Sequence, residues 1–137
     1  MRRTIFKYLF LAHFGGSLYV TLEVFFRGYS HWTMYLVAAL LFIVIGLLNE
    51  VRNSNFILQC FIGSALATLI EFFAGCVLNI MLDLHLWDYS NQWGNVLGQI
   101  CPLFSALWVL LSGVAIVLDD TIRWKFFQED KPSYYIK

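Results

Sequence analysis

Residues 56–82 read Phe56-Ile57-Leu58-Gln59-Cys60-Phe61-Ile62-Gly63-Ser64-Ala65-Leu66-Ala67-Thr68-Leu69-Ile70-Glu71-Phe72-Phe73-Ala74-Gly75-Cys76-Val77-Leu78-Asn79-Ile80-Met81-Leu82, with Glu71 the single charge. The hydrocarbon core of a bilayer takes about 20 apolar residues as a helix. This run therefore reads as a transmembrane helix, long enough to tilt or protrude. Three further apolar runs flank it, at about residues 5–26, 32–49 and 96–118. Lys7 in the first can snorkel to the headgroups. The predicted fold is all-α, a single transmembrane domain over residues 1–137 built as an integral membrane bundle of four helices. Short connections lie at 27–31 and 50–55 and a longer one at 83–95, whose Trp87, Tyr89 and Trp93 suit a membrane interface.

Composition agrees. Of the 137 residues, 60% are hydrophobic and 13% charged, and the mean hydropathy is +0.69; a soluble domain averages roughly 45–50% apolar and about 25% charged. So short a chain cannot bury that much apolar surface in one aqueous core, and disorder would need the opposite composition. Nine Lys and Arg balance nine Asp and Glu, which leaves no basic field for nucleic acid. The segment after Arg2 and Arg3 is too long for a signal-peptide core and no cleavage pattern follows, so it reads as a retained first helix. Cys60, Cys76 and Cys101 lie in or beside apolar stretches and read as small buried hydrophobes rather than disulfide or zinc partners. No metal or cofactor is expected.

Orientation follows from the basic residues. Arg2, Arg3, Lys7, Arg52, Arg123, Lys125, Lys131 and Lys137 fall on one side and Arg27 alone on the other. Both termini are expected in the cytoplasm of a bacterial cell, with the 83–95 loop outside. Residues 119–137 read as a charged cytoplasmic tail carrying Trp124, Phe126 and Phe127, which lies on the membrane surface.

Two segments match. Gly16-Ser17-Leu18-Tyr19-Val20-Thr21-Leu22-Glu23-Val24-Phe25-Phe26-Arg27-Gly28 aligns with Gly63-Ser64-Ala65-Leu66-Ala67-Thr68-Leu69-Ile70-Glu71-Phe72-Phe73-Ala74-Gly75, residue 63 against residue 16 giving an offset of 47. The glutamates miss register by one position. The match suggests two duplicated helical hairpins, with a site where the first and third spans meet, as in parallel-repeat transporters.

At 100° per residue, Glu71 shares a face with Ser64, Thr68, Gly75 and Asn79. Glu23 shares one with Ala12, Gly16, Tyr19 and Arg27, and the fourth span aligns Cys101, Ser105, Trp108 and Ser112. A carboxylate as deep as Glu71 costs about 2.5–3.5 kcal/mol on insertion scales and marks a functional site by default; the competing reading is a hydrogen-bonded packing residue. Glu23 and Arg27, four apart, can pair along the helix, or Arg27 can reach Glu71 or Asp88. Glu50 beside Arg52 reads as an interfacial pair, His13 as a hydrogen-bonded core histidine, His31 and His85 as interfacial. Gly94 and Gly98 have the spacing of a close helix contact. Asn95 and Gln99 precede Pro102, where free N–H groups at a helix start either are capped or meet an anion.

The stretch from Glu71 to Trp108 resembles a bacterial membrane-protein family, the putative ABC-transporter type IV or CmpB-like family. Glu71-Phe72-Phe73-Ala74-Gly75, Trp87-Asp88-Tyr89-Ser90, Gly98-Gln99-Ile100-Cys101-Pro102-Leu103-Phe104-Ser105 and Trp108 carry the resemblance. Residues 27–34 and Asn49-Glu50 are similar to a short form found in bacteria and their mobile elements. The resemblance implies a transporter permease. The chain has no Walker A phosphate loop, so an ATPase would be a separate subunit.

Three functions are therefore weighed. The first is a small permease or membrane-embedded solute- or lipid-binding protein, working as a homo-oligomer, with Glu71, Asn79, Arg27, Glu23, Asp88, Gln99, Ser105 and Trp108 as ligand contacts. The second is a holin-like pore former of a phage or mobile element. The third is an intramembrane enzyme, for which no nucleophile and base pair or metal motif is present; no catalytic residue is named.

Overall fold

The computed structural model describes residues 1–51, 55–134 and 136. Four helices dominate: α1 (Arg2–Arg27), α2 (Trp32–Gly46), α4 (Phe56–Gly75) and α5 (Pro102–Phe127), with a single turn, α3 (Leu48–Val51), continuing the line of α2. A π-helical turn, Cys76–Met81, extends α4. Three helices, Arg2–Arg27, Phe56–Met81 and Pro102–Phe127, are long and apolar enough to cross a membrane, and Trp32–Gly46 is a shorter apolar helix. Each long helix has 26 residues, about 39 Å at 1.5 Å per residue, against a hydrocarbon core of roughly 30 Å. Large apolar side chains stand fully outward on them, among them Phe25, Phe73 and Leu110. A water-soluble protein would not leave such a surface bare, and the chain is a multi-pass membrane protein.

Local chemistry sets the helix ends. The His31 ring accepts the Thr33 amide at 3.3 Å to start α2. Asn55 Oδ1 accepts the amides of Ile57 and Leu58 at 2.8 and 3.2 Å to start α4. These are N-caps, which satisfy donors that a helix start leaves without a partner. Arg27 in the last turn of α1 complements the helix dipole, and Gly28 ends it at φ 82°, its N–H bonded to the Val24 carbonyl.

α1 packs along α2, and α4 packs along α5. Small residues let the helices close: a Cβ on Gly63 would fall 2.6 Å from Ser112 Oγ, the close approach that membrane helices use in place of a hydrophobic driving force. α2 touches both α4 and α5, and the core forms there from Leu41, Ile45, Leu48, Ala67 and Ile116. α1 meets α5 only where the chain termini come together, around Leu11, Phe42 and Ile122.

Four expectations are corrected. The fourth span begins at Pro102, not near residue 96. Residues 96–100 are apolar enough for a helix, but Leu97 and Gly98 take positive φ (53° and 73°) and Val96 bridges Ile100 in a tight turn. Gly94 and Gly98 accordingly shape that turn and are not a helix contact. Residues 119–127 are not a separate surface tail: α5 runs unbroken to Phe127, with Asp119, Asp120 and Arg123 buried against the bundle. Arg123 Nε reaches Asp119 Oδ2 at 2.7 Å one turn away, and this i,i+4 pair lets the charges enter the packed end of the bundle. Finally, α1 and α4, the helices bearing the matched segments, do not pack on each other, because α2 and α5 lie between them. The expected boundary pair falls on Arg52, outside the described residues, and on Glu50, of which only the backbone is described.

At the same end Asn49 Nδ2 donates to Asp120 Oδ2 at 2.7 Å, Gln59 Nε2 to Asn49 Oδ1 at 3.1 Å, and Tyr134 OH to Asp120 Oδ2 at 3.0 Å. Burial and the Asp120 carboxylate push the Tyr134 phenol above its usual range. Lys7 pairs with Glu129, and the Arg123 guanidinium lies over the Tyr8 ring.

Candidate functional site

Because α1 and α5 touch at the terminal end alone, they stand apart toward the other end. The opening between them is floored by α2 and forms a groove of about 430 Å³. Its walls are apolar: Leu18 and Leu22 of α1, Val37 and Leu41 of α2, Leu107, Leu111 and Val114 of α5. Polar groups gather at the loop end only, where Tyr19, Glu23, Arg27, Glu71, Tyr89 and Trp108 line it.

Each polar group is held by neighbours that the helix periodicity sets. On α4, Ser64, Thr68, Glu71, Gly75 and Asn79 all face α5 or the loop before it. Ser64 Oγ donates to the Ser105 carbonyl at 2.6 Å, and the Thr68 and Ser105 hydroxyls lie 2.8 Å apart. One turn on, Glu71 Oε1 accepts the Tyr89 hydroxyl at 2.9 Å and Oε2 accepts Trp108 Nε1 at 3.2 Å. Both donors are neutral. Glu71 has no basic partner among the described residues. Across the groove, Tyr19 OH donates to Glu23 Oε2 at 2.8 Å, and Arg27 Nη1 stands 3.8 Å from the same oxygen while its Nη2 donates to Tyr29 OH. The expected Glu23–Arg27 pair is therefore present.

The 83–101 loop closes the loop end as a cap. Asn79 anchors it: its Oδ1 accepts the Leu86 amide at 2.7 Å, and its Nδ2 donates to Gln99 Oε1 at 2.8 Å. Trp87 Nε1 donates to the Gln99 carbonyl, and the Tyr89 amide to the Gly98 carbonyl at 2.7 Å. Asp88 Oδ1 takes both the hydroxyl and the amide of Ser90, bonds that hold its carboxyl below the usual range. The Tyr89 ring stacks on Phe104 at 4.6 Å. Burial, then the adjacent Glu71 carboxylate, push the Tyr89 phenol upward, so it stays a proton donor to Glu71.

Of the eight sequence-derived candidates, Glu23, Arg27, Glu71 and Trp108 line the groove. Asn79, Gln99, Asp88 and Ser105 do not: the first three build the cap and Ser105 joins α4 to α5. Asn95 bonds the carbonyls of Ser90 and Gln92 and the Gly98 amide, which commits it to the turn. Tyr19 and Tyr89 also line the groove; the sequence reading places Tyr19 on the Glu23 face and Tyr89 at the membrane interface without naming either as a ligand contact. His13 bonds the Tyr35 hydroxyl at 2.6 Å from the surface of α1 rather than from the core. The three cysteines are free thiols, and no cluster of three or more His, Cys, Asp or Glu suited to a metal occurs among the described residues.

The sequence model of the family described as Putative ABC-transporter type IV matches residues 16–132, which take in α1 from Gly16 through the whole of α5. The chain belongs to this family. Every residue at the polar end of the groove lies within the matched span. No curated protein and no solved structure matches the chain.

Proposed function

We propose that this member of the family is a membrane-embedded binding protein or permease subunit that takes an amphiphilic solute or lipid laterally from the bilayer. The lateral groove carries the reading: an apolar trough of about 430 Å³, the size of ordinary ligand sites of roughly 300–1,000 Å³, with its polar groups at one end. An apolar tail would lie on Leu41, Leu107 and Leu111 while a head meets Glu71 and Glu23. The positive residues favour cytoplasmic termini with the cap outside. A groove open on one side forms a closed pathway only when a second surface covers it, so we expect a homo-oligomer, and any ATPase is a separate chain. Binding and passage need no nucleophile, and the reading includes no catalysis.

Native mass spectrometry of the gently solubilised protein tests this, wild type beside Glu71→Gln. Wild type is expected to carry a defined small molecule or lipid that the variant loses, with the same thermal midpoint for both. Equal retention by both, or a ligand-free ladder of variable oligomers, would leave Glu71 a packing residue and favour a pore former.

A further inference from the structure

We infer that the groove selects an amphiphile with an ammonium head, an assignment that rests on the binding reading above. Two carboxylates, Glu71 and Glu23, face the polar end against one guanidinium. That guanidinium, Arg27, is committed to Glu23 and Tyr29. Glu71 accepts from two neutral donors, Tyr89 and Trp108, which use two of the roughly four lone-pair sites a carboxylate offers. A carboxylate at this depth needs an opposite charge beside it to stay ionised; no described basic side chain supplies one to Glu71, and an ammonium head would. An anionic head would meet a net negative site.

The test uses the full chain in nanodiscs of an uncharged glycolipid with three twelve-carbon probes: dodecyltrimethylammonium, neutral dodecyl maltoside and dodecanoate. Wild type is expected to retain one dodecyltrimethylammonium per chain, at least 10-fold more tightly than either other probe. Glu71→Gln should lose that preference, and Leu111→Trp, which fills the trough, should lose all three. Equal binding of the three probes by wild type, abolished by Leu111→Trp, would overturn the ammonium assignment and leave the groove reading standing. Binding that Leu111→Trp does not touch would overturn both. Should Glu71→Gln fail to fold, the cationic-to-anionic ratio on wild type decides alone.

Discussion

A carboxylate can stand in an apolar span as a hydrogen-bonded packing residue or as a ligand contact. Glu71 accepts from two donors of fixed position, as a packing residue does, and it also opens onto the trough, as a ligand contact must. Asp88 is the contrasting case: it is fully exposed, yet both its bonds are local, to the hydroxyl and amide of Ser90. Its role is to close the turn that carries Tyr89 to Glu71. Gly98 sits against the same pair, where a Cβ would fall 2.8 Å from Ser90 Oγ at a φ of 73°, so the turn tolerates no side chain there. Because the Asp88 carboxyl is held below its ordinary value of 3.8, the stabilisation it gives is present above that value and disappears as pH falls through the lower, folded one. Hydrogen exchange should therefore show constant protection of the Ser90 amide from neutral pH down to the ordinary aspartate range, with loss only below it. Asp88→Asn, which keeps an acceptor oxygen, should flatten that dependence. Protection already falling near pH 6 would show that another group holds the turn.

At the scale of elements, α4 and α5 pack closely along a face of small residues. Gly63 lies against Ser112 so closely that an added Cβ would stand 2.6 Å from its hydroxyl. Overpacking of this kind costs about 1–3 kcal/mol. Gly63→Ala should lower the thermal midpoint in detergent, and Ser112→Gly in the same chain should recover most of the loss, a coupling that a double-mutant cycle reads directly. Additive effects would mean that the helices stand further apart. The two stripes involved, Ser64-Thr68-Glu71 and Ser105-Trp108-Ser112, were legible in the sequence, because helical periodicity alone places residues on a face. Which helix each face meets was not legible. The repeat pointed to α1 against α4, whereas α4 turns its stripe to α5, a pairing set by small residues that only match in three dimensions. The start of α5 was hidden for a different reason. Val96, Leu97 and Ile100 are as apolar as any helix, and the turn is decided by left-handed backbone at Leu97 and Gly98. Charge misled in the opposite sense at Asp119, Asp120 and Arg123. In sequence they read as solvated, and their burial rests on partners such as Asn49 and Tyr134, 71 and 14 residues from Asp120.

For the whole molecule, the uneven attachment of α1 has a mechanical consequence. Near the termini α1 is tied to α5 and the tail by the Phe6 and Phe10 rings on Phe126 and Phe127, by Lys7 to Glu129, and by Arg3 donating to the Phe127 carbonyl at 3.0 Å. Toward the cap no such tie exists among the described residues, and the short turn at Gly28–His31 links α1 only to α2. α1 is held along α2, so the two walls of the groove can move only as α1 and α2 shift together against α5, and a ligand that bridges the groove selects the closed positions from those the pair samples. Spin labels at Phe26 and Phe104, on the two walls of the groove near the cap, should report a broad distance distribution in the empty protein. It should narrow and shorten when dodecyltrimethylammonium binds. Labels at Leu9 and Phe126, both exposed at the tied end, should give one narrow distribution under both conditions. Cys60, Cys76 and Cys101 must first be replaced, since all three are free thiols. A narrow distribution at the cap end that the probe leaves unchanged would make α1 a fixed wall, and the ligand would then enter past it without any motion of the helix.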